Sequence, residues 1–531
     1  MSSFLRLRNS NYLLFWGLCL LVTGLPVSLF LTSLSQFFIV GSFFLEGSPV
    51  EKWKRFLTTK SAVLLAILWL LHVLGLAWTQ DLQEGLKDIR IKLPLLILPF
   101  VLSGSEPLKP GQFRIILVLF ITSVFAGSLV AIAVLKGLLP TKAPIYDIRE
   151  IFNLGVSHIR FALFTCLAAI IAVYLLLEKS QEKTKVKKVF LIILIFWFIA
   201  FLFIIESITG ISIVLLIGLI LLWSIIIQRT SLYVRIIAGV LLVSIPLSLY
   251  LILKDFVHTY SPKPPEALRY DLKTKQGNLY FFDTTNTQVE NGSRVYAYIC
   301  EEEMRNEWNK RSEIPFDSLD ERKQPIKSTL LRFLASKGSY KDAEGVAQLT
   351  EEEVKSVEHG IANVYYQHLS SIKSRMLQIL WEYHEYSRGG DPSGHSVTQR
   401  LEFWKAAVGI IAAKPLAGVG TGDMRAAYEQ EYARMQTKLT PHYRLRAHNQ
   451  YLAIGVALGL PALLFFIFVL FIPLMKEIRE KNFLFLAFWL IAICSMITED
   501  TLETQAGVTF VALFWSLFVF SNPHRKSAEL K

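Results

Sequence analysis

Apolar runs long enough to cross a bilayer recur from one end of this chain to the other, and no other feature limits its fold as strongly. A helix needs roughly 20 apolar residues to cross a hydrocarbon core about 30 Å thick. Lipid offers no partner for a free backbone N–H or C=O, so such runs fold as helices or as closed barrels. Here the runs are continuously apolar and lack the period-two alternation of barrel strands, which selects helices. The chain has 531 residues, 53% hydrophobic and only 18% charged, with a mean hydropathy of +0.43. It reads as an all-α polytopic membrane protein. Spans are expected near 12–28, 29–45, 61–78, 93–105, 115–136, 161–177, 189–206, 209–227, 236–253, 451–474, 483–498 and 507–521, about twelve in all. The run at 93–105 is short and carries Pro94 and Pro99, so a broken or re-entrant helix is the alternative there.

Basic residues orient the bundle. Arg6 and Arg8 precede the first span; Lys52, Lys54 and Arg55 follow the second; Lys179, Lys183, Lys185, Lys187 and Lys188 follow the sixth. Arg229 and Arg235 follow the eighth, Lys476, Arg479 and Lys481 the tenth, and Arg525 and Lys526 the last. With alternating spans all of these share one side, and basic residues stay inside. Both termini are therefore expected in the cytoplasm. The net charge of +12 is then largely topological and needs no nucleic-acid partner. The first apolar run continues directly into a second, so no cleavable signal peptide is expected. Cys19, Cys166 and Cys494 lie in spans and Cys300 stands alone in a loop, which argues against a disulfide framework and a thiolate metal site.

Three regions follow: a bundle of about nine spans over 1–253, a large outer loop over 254–449, and about three spans over 450–531. Within the loop, Asn278–Phe282 and Arg294–Cys300 are β-prone, with Asn291-Gly292 as a turn signal between them. Asn291-Gly292-Ser293 also matches a glycosylation sequon, and the turn is the preferred reading. From about 326 the pattern turns helical. Thr350 with Glu353 forms a capping box for a helix to Ile361, and a longer helix is expected over 363–386. Tyr386 to Gly394 breaks it, and a further helix, Thr398–Ala413, ends at Lys414-Pro415.

His72 is the sole ionisable side chain well inside a span, and it reads as a packed interior residue. Proton-coupled transporters usually carry charged groups on their pathway, so a transport role is disfavoured. Charge gathers instead at the outer boundary. Arg160 opens span six in Ser157-His158-Ile159-Arg160-Phe161; Arg400 opens the helix Arg400-Leu401-Glu402-Phe403-Trp404-Lys405; Arg444 and Arg446 lead into His448-Asn449. Arg90 and Lys92 stand at the mouth of span four, and Glu499, Asp500 and Glu503 form an acidic turn on the same side. Singly, each cation is most often an anchor at a helix end. Together they form a basic collar on the face that the positive-inside rule disfavours, and guanidinium groups hold phosphate oxygens bidentately. Leu416-Ala417-Gly418-Val419-Gly420-Thr421-Gly422-Asp423 is glycine-rich but lacks the strand and lysine of a nucleotide cradle, so it reads as a tight connection. No Asp-x-Asp pair and no zinc spacing is present, so metal-free, cofactor-free chemistry is expected.

Three segments carry a resemblance: Arg400-Leu401-Glu402-Phe403-Trp404-Lys405-Ala406-Ala407; Pro415 through Asp423; and His448-Asn449-Gln450-Tyr451-Leu452 followed by Gly459-Leu460. In this order the chain resembles the O-antigen ligase and polymerase superfamily of bacterial envelopes. Thr498 through Gln505 is similar to the form of that family found in Bacteroidetes. Two departures stand out. Ser207-Ile208-Thr209-Gly210 falls where many members carry a Ser-Arg pair, and the insert at about 260–390 is longer than in many ligases.

The resemblance implies a GT-C-like, inverting glycosyltransferase in the bacterial inner membrane, with the large loop periplasmic and a glycan on undecaprenyl diphosphate as donor. Arg160 and Arg400 match the family's diphosphate-binding arginines, and His448 matches the residue that acts on the acceptor hydroxyl. Arg446, Asn449, Arg444, His158, Arg90, Lys92, Glu499 and Glu503 are candidate accessory residues. The first reading is an O-antigen ligase with a lipid A–core acceptor. Its alternatives are an O-antigen polymerase, a protein O-oligosaccharyltransferase and, from another class, a lipid-linked glycan transporter.

Overall fold

The computed structural model describes residues 11–139, 157–178, 184–229, 231–261, 267–270, 272–283, 285–286, 288–367 and 371–523. Arg6, Arg8, Lys179, Lys183, Arg525 and Lys526, used above for orientation, lie outside these. Helices dominate. The one two-stranded ladder among the described residues is an antiparallel pairing of Val289–Glu290 with Ser293–Arg294. The chain divides into two compact units, Met1–Ala238 with Gln399–Lys531, and Gly239–Thr398.

Among the described residues, six helices have the length and apolarity to cross a membrane: Lys60–Trp78, Pro110–Leu135, His158–Leu177, Lys185–Ile204, Leu232–Tyr260 and Gln450–Arg479. A seventh span arises if Leu29–Leu45 and Pro49–Thr58, bent by 108°, count as one. Tyr12–Gly24, Ile208–Trp223, Phe483–Thr498 and Gln505–Phe520 are apolar but shorter. Against the expectation of about twelve, the described residues hold six or seven full-length helices and these four short ones. The run at 93–105 folds as the 11-residue helix Pro94–Gly104, roughly 16 Å long at 1.5 Å per residue, half of what a bilayer core requires.

In the first unit the His158–Leu177 helix is buried along most of its length. Ser157 starts it by accepting a hydrogen bond from the Arg160 N–H at 3.4 Å. Its Phe164 lies in a run of phenyl contacts, Phe164–Phe510 at 5.0 Å, Phe120–Phe514 at 4.7 Å and Phe488–Phe510 at 5.6 Å, while Phe161 meets Phe201 at 5.9 Å. Inside lipid such packing is driven by van der Waals fit and edge-to-face geometry more than by exclusion of water.

The glycine-rich segment joins the Ser396–Ala413 and Met424–Arg434 helices and is held against a break in the Gln450–Phe471 helix. That break is Gly459, with φ +81°. There the Leu460 N–H turns outward to Pro415 O at 2.7 Å, while Val419 and Gly420 donate to Val456 O and Ala457 O at 2.9 Å each. A Cβ at Gly418 would sit 2.5 Å from the Ala457 carbonyl, so glycine is required for contact as well as for its φ of +66°. Asp423 accepts from the Gln80 and Asp81 N–H groups, both at 2.8 Å.

The second unit has its own core of Trp308, Phe316, Leu330, Phe333, Leu334 and Val357. The capping box forms as the spacing indicates: Thr350 Oγ1 accepts from Glu353 N at 3.2 Å and Glu353 Oε2 from Thr350 N at 2.8 Å. The helix it starts ends at Glu358, short of Ile361. Asn291 and Gly292 both have positive φ, +48° and +93°, the type I′ signature of a two-residue hairpin. The flanking β-prone runs do not extend this ladder; they meet at the isolated bridge of Phe281 with Ile299 and where Tyr280 and Phe282 contact the Tyr298 ring.

Candidate functional site

His448 lies between two pinned stretches of backbone. Before it, Tyr432 Oη donates to Leu445 O at 2.6 Å and Trp404 Nε1 donates to Ala447 O at 2.9 Å. After it, Asn449 caps the Gln450–Phe471 helix, its Oδ1 accepting from Leu452 N at 3.0 Å while its Nδ2 donates to Ile497 O at 2.9 Å. Held on both sides, His448 itself takes a left-handed φ of +46°. A non-glycine residue in that region costs of order 1–3 kcal/mol, and such strain gathers at functional sites. Its ring stands 5.8 Å from that of Phe403.

Around this imidazole the fold assembles groups from distant parts of the sequence. The turn that follows the Phe483–Thr498 helix presents Glu499, Asp500 and Glu503, all buried. Arg400 reaches Glu499 at 3.2 Å. Arg160 lies 3.8 Å from Asp500, and Arg446 meets Asp500 at 3.2 Å and Glu503 at 3.4 Å. The His448 Nδ1 is 3.8 Å from Asp500 and 4.0 Å from Glu499. Below them Lys92, only 1% exposed, donates to Glu503 at 2.9 Å and pairs with Asp88 one helical turn back. Gln450 completes this lower layer, donating to Glu503 Oε1 at 3.1 Å and accepting from Leu502 N at 2.6 Å.

The two layers differ electrostatically. Burial works against the charge of Glu503, yet Lys92 and Arg446 hold its carboxyl well below the usual range. Glu503 is thus a fully satisfied buried anion, the condition under which such a group is tolerated. Glu499 moves the other way. Burial, then repulsion from Asp500, pushes it up to about 7 despite Arg400 and Arg160. For His448, burial lowers the proton affinity of the ring; Asp500 offsets part of this, and Arg400, Arg446 and Arg160 lower it further. Near pH 7 the imidazole is therefore neutral and able to accept a proton.

Of the residues singled out in the sequence, Arg160, Arg400, Arg446, His448, Glu499, Glu503 and Lys92 come together here. Asn449 contributes as the cap beneath His448. Arg444 turns elsewhere, donating to Leu439 O at 3.2 Å and lying 3.7 Å from Glu429. Arg90 is exposed and His158 half-buried at the first turn of its helix. Sequence reasoning left out Asp500, the carboxylate that faces two arginines and the histidine, along with Asp88 and Gln450. The spacing of Asp88 to Lys92, one turn apart, was a usable signal for the second. Nothing local marked Asp500 above its neighbours. His448, Glu499 and Asp500 offer ligand atoms within 4.8 Å of one another, a spacing that suits a cation. Both carboxylates are already neutralised by arginine, so an incoming cation would meet three guanidinium groups around them.

Chemically, the arrangement is a neutral imidazole beside clustered guanidinium groups, suited to holding an anionic leaving group while a hydroxyl loses its proton. None of the curated proteins compared with the chain matches it. Residues 360–467, which include Arg400, the glycine-rich connection and His448, match the family model described as O-antigen ligase. This match supports membership of the O-antigen ligase and polymerase superfamily, carried by that stretch of the chain.

Proposed function

We propose that the protein transfers a glycan from undecaprenyl diphosphate to an acceptor hydroxyl at the periplasmic face of the inner membrane, as an O-antigen ligase acting on lipid A–core. The observation that carries this reading is the convergence of Arg160, Arg400 and Arg446, from three separate elements, on the same acidic turn as His448. In the reaction the acceptor oxygen bonds to the anomeric carbon while its proton passes to His448. The carbon–oxygen bond to the diphosphate breaks, and the electron pair leaves with that group. Arg160 and Arg400 absorb the charge that develops on it, the term that usually dominates such catalysis. Attack opposite the diphosphate inverts the anomeric centre. The diphosphate is already a good leaving group, so the scheme uses no metal.

Two experiments test this. In a deletion strain, polymer should vanish from lipid A–core and accumulate on the lipid carrier. Single repeats on core would instead identify a polymerase, and unaltered glycans with failed translocation a transporter. In purified protein, Arg400→Ala should remove most transfer and weaken donor binding, with Arg400→Lys a poor rescue because it keeps the charge and loses the planar fork. Undiminished donor affinity and turnover in Arg400→Ala would leave that residue a structural anchor.

A further inference from the structure

Each arginine at the site is engaged by a carboxylate of one short turn, and the carboxylates are not equally committed. Glu503 is held by Lys92, Gln450 and Arg446, and belongs to the fixed lower layer. Glu499 and Asp500 have looser arrangements. Glu499 has Arg400 at 3.2 Å; Asp500 has Arg446 at 3.2 Å and Arg160 at 3.8 Å, the last beyond hydrogen-bond reach. Arg160 is only partly saturated: its Nη1 donates to Ser157 Oγ at 2.9 Å, while its Nε is buried with no hydrogen-bond partner among the described residues. The same two carboxylates stand 4.0 and 3.8 Å from the His448 Nδ1, about 1 Å too far to orient it.

A diphosphate presents several anionic oxygens to the guanidinium forks and binds them more strongly than one distant carboxylate does. Resting on the reading above that the donor is a diphosphate, we propose that Glu499 and Asp500 are built-in counter-anions. The donor displaces Glu499 from Arg400 and takes over Arg160 from Asp500, which stays on Arg446, and the two carboxylates become the hydrogen-bond acceptors that orient the His448 imidazole for the acceptor hydroxyl. Donor binding would thereby complete the proton-accepting apparatus, and the two carboxylates are positioning residues acting through His448.

The exchange has a proton signature. Glu499 and Asp500 are 5% and 2% exposed, so neither can turn to water when its cation is taken. A dianion arriving beside them raises the proton affinity of the whole cluster, which consists of Glu499, Asp500 and His448 faced by Arg160, Arg400 and Arg446. Lys92, Glu503 and Asp88 lie below, and Tyr428 beside Arg446 has its phenol pushed up by burial and stays protonated. Glu499 already titrates at about 7, so binding takes up a proton and tightens as pH falls from about 8 toward 7.

The test uses the full-length protein in detergent and undecaprenyl diphosphate as probe, with binding heats compared in buffers of different ionisation enthalpy. Wild type should take up roughly half a proton or more near pH 7.5, with Kd falling about threefold per unit of pH decrease. Glu499→Gln, which removes the competing anion, should tighten binding about tenfold and abolish the uptake. Asp500→Asn should lower kcat by roughly tenfold or more while KM for the donor falls, and should move the acid limb of kcat to lower pH because His448 loses its nearest anion. Binding without proton uptake, or equal affinity in wild type and a folded Glu499→Gln, overturns the exchange while leaving the donor assignment intact. Absence of any binding in wild type overturns both. If neither variant folds, the wild-type proton count decides by itself.

Discussion

At the scale of single residues, His448 combines three properties that a helix anchor does not need together. Its backbone is left-handed, its ring is buried enough to stay neutral near pH 7, and three arginines surround it. A general base typically contributes on the order of 10²–10⁴-fold in rate. His448→Ala should lower transfer by about that factor while donor binding survives, and chelator should leave the wild type active. Because burial and the arginines hold the ring's proton affinity below the ordinary histidine value, the base form persists on the acid side of 6.5 and activity should decline only below it. Transfer within about twofold of wild type in correctly inserted His448→Ala would sink the catalytic role. Loss of activity on chelation would redirect attention to the spacing of His448, Glu499 and Asp500.

At the scale of elements, the site depends on joints that contribute no chemistry. The Lys92–Glu503 pair ties the Leu82–Lys92 helix to the acidic turn, and both partners are almost fully buried. Removing one partner of a buried pair costs about 3–5 kcal/mol when the other is left uncompensated. Lys92 also pairs with Asp88, so Glu503→Ala leaves it one carboxylate and should lower the melting temperature of the purified protein by less than that, whereas Lys92→Met, which strips both Glu503 and Asp88, should lower it further. If Glu503→Ala melts like wild type, water reaches the lower layer and the buried description fails. Local patterns foretold many of these elements. The capping box at Thr350 and the Asn291-Gly292 turn were legible because their physics involves neighbours in sequence. The glycine-rich run was legible as a connection, but its partner was not. Gly459 lies 36 to 43 residues beyond it, and only the folded chain brings that helix break against Gly418.

At the scale of the molecule, the reading of inside and outside rests on basic residues near the helix ends. A cysteine placed near Tyr340 should react with an impermeant reagent once the outer membrane is permeabilised, and one near Lys183 should not. The reverse pattern would overturn the topology. The sequence by itself determined that this is a helical chain with repeated apolar segments, because hydropathy and period are properties of short windows. It also marked most of the charged residues of the site, since cations at the mouths of apolar runs are conspicuous. Of about twelve expected spans, six or seven are full-length helices among the described residues, because apolarity does not reveal where a proline or a bend stops a helix. Only the tertiary structure decided that Arg160, Arg400, Arg446 and His448 share one acidic turn, and that Asp500 stands at its centre while Arg444 does not join it. Those relations join residues up to 340 positions apart. They are fixed by packing of the Phe164–Phe510 core and by the joints around Glu503, neither of which is encoded in any local pattern.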